Sequence, residues 1–504
     1  MPQKDVSKGP RPPRPPLARS KKSVPKKKVS KAPKAPKPQT DISKPRTCIS
    51  EAPQPQKDIS TRYPASHWAV PPAMAAKLDT WGPPFVCVVR ECGRAALAAR
   101  GLAATWPSRE QFHLGTDCSG AEAPVWALKA MGIGHVHKFS CDIQPFVRRF
   151  IQATSPPAGP IYEDMLKREL SDIPAHSIYC CGFPCKAFSI LRRHSTKLLK
   201  EASAKPFFAV VNMIRHHMPL VAVLENVRGI SKVFKQVFAH LKKIQGYFIF
   251  VLPMDSVDLG EPVSRPRYYM ICVRQDVAVS SDLVFLSNMV KNMYSAACSE
   301  VSDHVSQRML PSQSPAVKET HDLKRSRSVA FGREGAQATT SELGLTARQQ
   351  ALLQTGRKKS SQAGGTDVII DVSQSEGRAT TRLNGICPTL TPGACVVVDR
   401  VRRVIMPIEK LMLHGFPIHR MKIPTSTCNT ELASLGGNTM HVKCVGVALL
   451  LGTLLVNWSH RHARLGLKPF QGQPPPSTSI VLPLDASRSE TPKARHTQPK
   501  KIAK

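Results

Sequence analysis

A doubly wound, Rossmann-like α/β fold is predicted for the central part of this chain. Between residues 112 and 274, apolar runs of strand length alternate with helix-length segments, the pattern of a parallel sheet with crossover helices. Hydrophobic residues make up 41% of 504, which is ample for a buried core. Several of the apolar runs also end directly in a polar or reactive side chain, where sheets of this kind gather ligands beyond the carboxyl ends of their strands.

In chain order, strands are expected to begin near Phe112, Val136, Pro160, Ser177, Val221, Tyr247 and Arg267, with helices over 123–131, 207–217 and 233–244. Ala123, Val125, Trp126, Leu128 and Ala130 give the first of these helices a mixed apolar face. Residues 106–275 thus form the first part of a main domain. From 276 to 378 the composition turns to Ser, Gln, Thr, Ala and scattered charge, so a small, partly disordered insertion is expected there. Patterning returns at 394–399 and 406–416, and a helix over 445–456 closes the main domain within 379–468. The longest apolar run, 445–458, is shorter than the roughly 20 residues that a membrane span requires.

The ends differ sharply from the centre. Formal charge is +37, and residues 1–60 carry 16 Lys/Arg against 4 Asp/Glu while 461–504 carry 9 against 2, so the ends hold half of the excess. Residues 1–105 read as a basic Pro/Lys/Ala-rich tail and linker, and 469–504 as a second basic, disordered tail. Lysines and arginines release condensed counterions on meeting phosphates, so the expected partner is a polyanion, DNA or RNA. Lys21–Lys28 equally suits nuclear import, and no secretory signal pattern opens the sequence. The 14 cysteines include no Cys-x-x-Cys, so neither a zinc finger nor a redox pair is indicated, no metal is expected, and reduced thiols are. Cys180 and Cys181 are expected to pack within a strand.

Three short stretches carry chemistry. Pro184-Cys185 follows an apolar run in Cys180-Cys-Gly-Phe-Pro-Cys185, the place where a sheet would present a nucleophilic thiolate. Val221-Ala-Val-Leu ends in Glu225-Asn226, and Arg265-Pro-Arg267 sets two guanidinium groups at the start of a third run. In this order and spacing the three resemble motifs of the cytosine-C5 DNA methyltransferases. The resemblance extends from about Phe112 to Leu455. Phe112-His-Leu-Gly-Thr-Asp-Cys-Ser-Gly-Ala-Glu-Ala123 resembles the cofactor motif, Phe139-Ser-Cys-Asp142 the second strand with its acid, and Tyr162-Glu-Asp164-Met the acidic third motif. Cys387-Pro-Thr-Leu-Thr391 and Leu435-Gly-Gly-Asn438-Thr-Met-His-Val442 are similar to the ninth and tenth motifs.

The resemblance implies S-adenosylmethionine as methyl donor, double-stranded DNA as substrate, and a target-recognition domain over 276–378. It assigns Cys185 as the thiolate that adds to cytosine C6, Glu225 as the acid at ring N3, and Arg267, with Arg265 as second candidate, as the group at cytosine O2 or a phosphate. Gly120, Cys118, Asp142, Asp164, Pro184 and Asn438 would line the donor site, Asp142 at the ribose and Asp164 at the adenine amine. A thiol with an ordinary pKa of about 8.5 needs a helix terminus or arginines to ionise, and Glu225 needs a dry setting to hold a proton. The chain departs from the family pattern at Cys118, where an aromatic is usual, at Ala121-Glu122-Ala123 in place of glycines, and at Lys186 and Val263 in place of glutamines. Nuclear action on chromatin is the expectation, with two alternatives open. One is a tRNA cytosine methyltransferase of the same fold, disfavoured because its Cys-Phe-Thr signature is absent. The other is a catalytically silent DNA-binding protein.

Overall fold

The computed structural model describes residues 70–184, 204–318, 343–365, 367–460 and 474–482. All seven expected strands form: β1 (His113–Asp117), β2 (Val136–Cys141), β3 (Ile161–Tyr162), β4 (Ile178–Cys181), β5 (Val221–Val227), β6 (Tyr247–Met254) and β7 (Arg267–Arg274). Later in the chain come β8 (Ile369–Asp371), β9 (Thr381–Arg382), β10 (Val396–Val398), β11 (Arg403–Val404) and β12 (Ser479–Val481). The main sheet runs β12-β6-β7-β5-β4-β1-β2-β3, and a second sheet runs β11-β10-β8-β9.

The main sheet is mixed rather than wholly parallel. β7 is antiparallel to both β5 and β6, while β1 through β5 pair in parallel. The link 255–266 carries no crossover helix, its only regular element being the turn Ser256–Asp258, so β7 returns beside β6 as an antiparallel neighbour. The strands to either side of β1 are β2, its successor, and β4, so the chain reverses its direction of winding at β1 and opens a crevice at the carboxyl ends.

Side chains alternate strictly across the sheet. Ile178 and Cys180 of β4 join one apolar layer, with Val221 and Val223 of β5; Tyr179 and Cys181 join the other, with Ala222 and Leu224. The two adjacent cysteines are wholly buried, as strand packing requires. The first layer is covered by α2 (Gly82–Ala98), α3 (Ala123–Ala130), α7 (Leu283–Ala297) and the closing helix Val442–Leu454, the second by α5 (Lys205–His217) and α6 (Phe234–Leu241). Between α3 and α5 lies α4 (Pro145–Thr154). Every residue of Val442–Leu454 except Lys443 is buried, so this helix is central to the core. Among the described residues, no helix is long and apolar enough to cross a membrane.

Four boundaries differ from the sequence reading. Residues 72–98, assigned to tail and linker, form α1 (Pro72–Thr80) and α2, whose Val86, Val89, Gly93 and Leu97 recur at helical spacing and face the core. Within 276–378, α7 packs on the main domain through Leu286, Met289, Val290 and Met293. The second sheet, covered by helix Ala347–Gln362, continues past the expected boundary at 378 as far as Val404. Residues 474–482, assigned to a disordered tail, include β12, which pairs in parallel with β6. Ile480 and Val481 insert on opposite faces, a period-two pattern too short to stand out from the proline-rich stretch before it.

Candidate active site

β4 and β5 are in register with Cys181 opposite Leu224, so the next residues along, Gly182 and Glu225, come side by side. A methyl group on Gly182 would lie 3.2 Å from Oε2 of Glu225 and 3.5 Å from Cγ and Sδ of Met440. One residue further, Nδ2 of Asn226 donates to the carbonyl of Phe183 at 2.9 Å, and Oδ1 of Asn226 accepts from the amide of Val227 at 2.9 Å. Asn226 therefore fastens the outgoing turn of β4 to the end of β5. Pro184 is half-buried at the end of that turn. Cys185 lies outside the described residues, as does Lys186.

Arg267 begins β7, opposite Val227, and its side chain crosses back to the carboxyl end of β5. Nε of Arg267 is 2.9 Å from Oε1 of Glu225, and both side chains are about nine-tenths buried. The pairing is an ion contact and not an aligned hydrogen bond, since Oε1 has no partner of hydrogen-bond geometry. Nη1 of Arg267 donates to the carbonyl of Pro266 at 2.9 Å. Arg265 points elsewhere. Its guanidinium donates to the carbonyls of Leu390 at 3.4 Å and Gly437 at 3.4 Å, and its amide to Oδ1 of Asp255 at 2.7 Å. It ties the stretches 387–391 and 435–442 to the start of β7, whereas Arg267 is the arginine on Glu225.

On the other side of β1, the turn after Asp117 adopts left-handed backbone at Cys118, Gly120 and Glu122. The amide of Gly120 donates to Oδ2 of Asp142 at 3.1 Å, and that of Gln144 to Oδ1 at 3.0 Å. Burial pushes the Asp142 carboxyl up, against the lowering effect of these two N–H groups and of Arg148. Sγ of Cys118 is 3.8 Å from Sδ of Met165, and beside it Oδ1 of Asp164 accepts from the amide of Leu166 at 2.9 Å. Cys118, Gly120, Asp142 and Asp164 are thus gathered at neighbouring strand ends. Asn438 is exposed, and its Nδ2 donates to Ser434 within its own helix, Asn429–Asn438.

Thr439 and Met440 were not singled out from the sequence, although they stand in the quoted 435–442 stretch. Thr439 reaches to 4.0 Å of where a side chain on Gly120 would begin, and Met440 touches Gly182, so these two residues bridge the two turns. Asp117, also missed, is wholly buried. It accepts from the Tyr179 hydroxyl at 2.6 Å and pairs with Arg168, which lies over Tyr162 and Phe139 at 4.9 and 5.3 Å. The signal available for it was an acid at the end of the first strand.

A parallel sheet winding outward from β1, with an antiparallel β7 slotted between β5 and β6, is a Rossmann-like methyltransferase fold. The sequence model of the family described as C-5 cytosine-specific DNA methylase matches residues 118–447, and the chain belongs to that family. The DNA (cytosine-5-)-methyltransferase DMT5 of Verticillium dahliae is 25% identical over 459 residues, taking in 68% of this chain and 19% of that protein. Type II methyltransferase M.HhaI of Haemophilus parahaemolyticus is 32% identical over 117 residues, 22% of this chain and 34% of its own. The chain therefore spans well under half the length of these curated relatives. Among solved structures, the S. pombe Dnmt2 methyltransferase is similar with a TM-score of 0.43 at 14% identity, over 68% of this chain and 98% of that one.

Proposed function

We propose that this protein transfers a methyl group from S-adenosylmethionine to C5 of cytosine in double-stranded DNA through a covalent bond between Cys185 and C6. The observation that carries the reading is the meeting of the Gly182–Pro184 turn with the Glu225 carboxyl, itself paired with Arg267. Cytosine C5 is a poor nucleophile, and attack by the Cys185 thiolate at C6 makes it one at the expense of aromaticity. Once C5 has taken the methyl group and S-adenosylhomocysteine is left, loss of the C5 proton and expulsion of the thiolate from C6 restore the ring and the enzyme. Glu225, beside the turn that leads into Cys185, would hold the proton at ring N3 that lets negative charge build on the base. Arg267 would keep that carboxyl in place and reach cytosine O2, where charge also develops. Because a duplex buries C6, the base must leave the stack, and contacts in the cleft must offset a cost of a few kcal/mol.

The residues after β1 and β2 fit the donor. Each Asp142 oxygen accepts one backbone N–H and keeps a lone pair for a ribose hydroxyl, and Ile143, at 63% exposure, offers an apolar surface for a base beside it. Asp164 would accept from an adenine amine, and the left-handed backbone at Cys118 and Gly120 would let the chain approach the donor closely. When bound, the donor supplies an electrophilic methyl carbon; orienting it, and holding water away, falls to this turn together with Thr439. The Lys-rich stretches at either end support adhesion to DNA and a nuclear, chromatin-associated role.

The test is incubation with methyl-labelled donor and either duplex DNA or tRNA, with Cys185→Ser alongside. Label in duplex DNA that the variant abolishes, with its DNA binding intact, is the expected result. Label in tRNA alone would replace the substrate class, unchanged turnover in Cys185→Ser would refute the mechanism, and DNA binding without any donor binding would identify a silent DNA-binding protein.

A further inference from the structure

The turn after β1 contains an acid, Glu122, which at first sight should repel or crowd a donor. Its side chain instead turns inward and is wholly buried. Oε1 accepts from Oγ1 of Thr116 on β1 at 2.8 Å and from Oγ of Ser140 on β2 at 2.6 Å. Thr116 Oγ1 is in turn 2.8 Å from Oγ of Ser119, which reaches the amide of Cys141 at 3.0 Å. The backbone of Glu122 is left-handed, and its carbonyl accepts the amide of Trp126 to start α3. A left-handed conformation is costly for a side chain with a Cβ, so something must hold it, and the bonds to Thr116 and Ser140 do.

We propose that Glu122 is a positioning residue for the methyl donor, fixing the 118–122 turn against β1 and β2 from within while Asp142 holds it from outside through Gly120. The inference rests on the donor reading above and adds to it how this chain keeps a donor turn without the family's glycines. Burial pushes the Glu122 carboxyl up to about 8 and the neighbouring His137 down to about 3, so at neutral pH their 3.6 Å approach is between uncharged groups. The other groups that face it are Asp142 just after β2, Cys180 on β4 and Lys129 on α3. Above pH 8 the carboxyl ionises in a site where Oε2 has no partner, and the turn must loosen to admit water. Donor affinity is therefore linked to pH through a residue that never touches the donor.

Calorimetric titration of the full chain with S-adenosylhomocysteine at pH 7 and pH 9 decides it, with thermal melts confirming folding. Wild type is expected to bind about tenfold more weakly at pH 9, Glu122→Gln to bind equally at both, and Glu122→Ala to bind about tenfold more weakly at both, raising KM for donor with little change in kcat. Wild-type affinity in a folded Glu122→Ala, or an undiminished alkaline loss in Glu122→Gln, overturns the proposal. The second comparison stands even if the alanine variant fails to fold. A wild-type protein that binds no S-adenosylhomocysteine at either pH would instead remove the donor reading, and this inference with it.

Discussion

Arg267 and Glu225 meet at 2.9 Å across β7 and β5, although Glu225 lies directly opposite Tyr269 in the ladder. The arginine reaches diagonally past Val227 to place its charge on the acid, at the edge where β4 delivers Pro184. Arg267→Ala removes the cation from a nearly buried carboxylate. Labelled-methyl assays are expected to show a loss of about 100-fold or more, with partial recovery in Arg267→Lys. An alanine variant with full turnover would separate the arginine from the chemistry.

Glu225→Gln keeps the shape of the site and removes the acid. Methyl transfer should slow markedly while S-adenosylhomocysteine binds as before, because Glu225 faces the Gly182 turn and not the Gly120 turn. A large loss of donor affinity would reassign the residue.

Arg265 should behave unlike its neighbour. Its guanidinium serves buried carbonyls at Leu390 and Gly437, so Arg265→Ala is expected to lower unfolding free energy by about 2 kcal/mol in denaturant titrations. Activity of the fraction that remains folded should fall far less than in Arg267→Ala.

Two glycines separate crowding from backbone conformation. A methyl on Gly437 would lie 2.1 Å from the backbone nitrogen of Pro392, which cannot swing aside, and Gly437→Ala should cost about 3 kcal/mol. Gly120 has 4.0 Å of clearance but a φ of +53°, so Gly120→Ala should cost about 1 kcal/mol of strain and show itself mainly as weaker donor binding.

Glu122 also predicts a pH dependence of stability. Its folded pKa of about 8 exceeds the ordinary 4.5, so between those values the native state holds a proton that the unfolded chain has lost, and stability falls as pH rises. The window is worth on the order of 5 kcal/mol, and above pH 8 the loss levels off. Glu122→Gln lacks the linkage, so its stability relative to wild type should grow from pH 4.5 to 8 in chemical denaturation; a constant difference would contradict the assignment.

The central strands β4 to β7 were legible because each is a compact, largely apolar run buried on both faces of the sheet. The reversal of β7 was not, since direction depends on whether the 255–266 link folds into a crossover helix, not on the strand itself. The α2 helix was obscured by composition: its alanines and the prolines at its start continue the character of the preceding tail, while the four positions that face the core are spread over twelve residues. At the site, Glu225 and Asp142 were legible because each stands at the carboxyl end of a strand, Glu225 among the last residues of β5 and Asp142 directly after β2. Arg265 and Arg267 looked equivalent two positions apart, but Arg265 precedes the strand and is drawn to carbonyls that come from residues 390 and 437. Glu122 read as a misplaced acid because its partners, Thr116 and Ser140, are unremarkable hydroxyls whose proximity arises only when β1 and β2 pair.

The short β12 has a consequence out of proportion to its length. It caps the open flank of β6, a strand whose side chains are apolar on both faces and whose outer backbone groups would otherwise be available to any extended peptide. A chain trimmed to end before residue 474 should therefore gain a sticky rim and self-associate through it, and a synthetic peptide spanning 474–482 added in excess should restore it to monodispersity in light scattering.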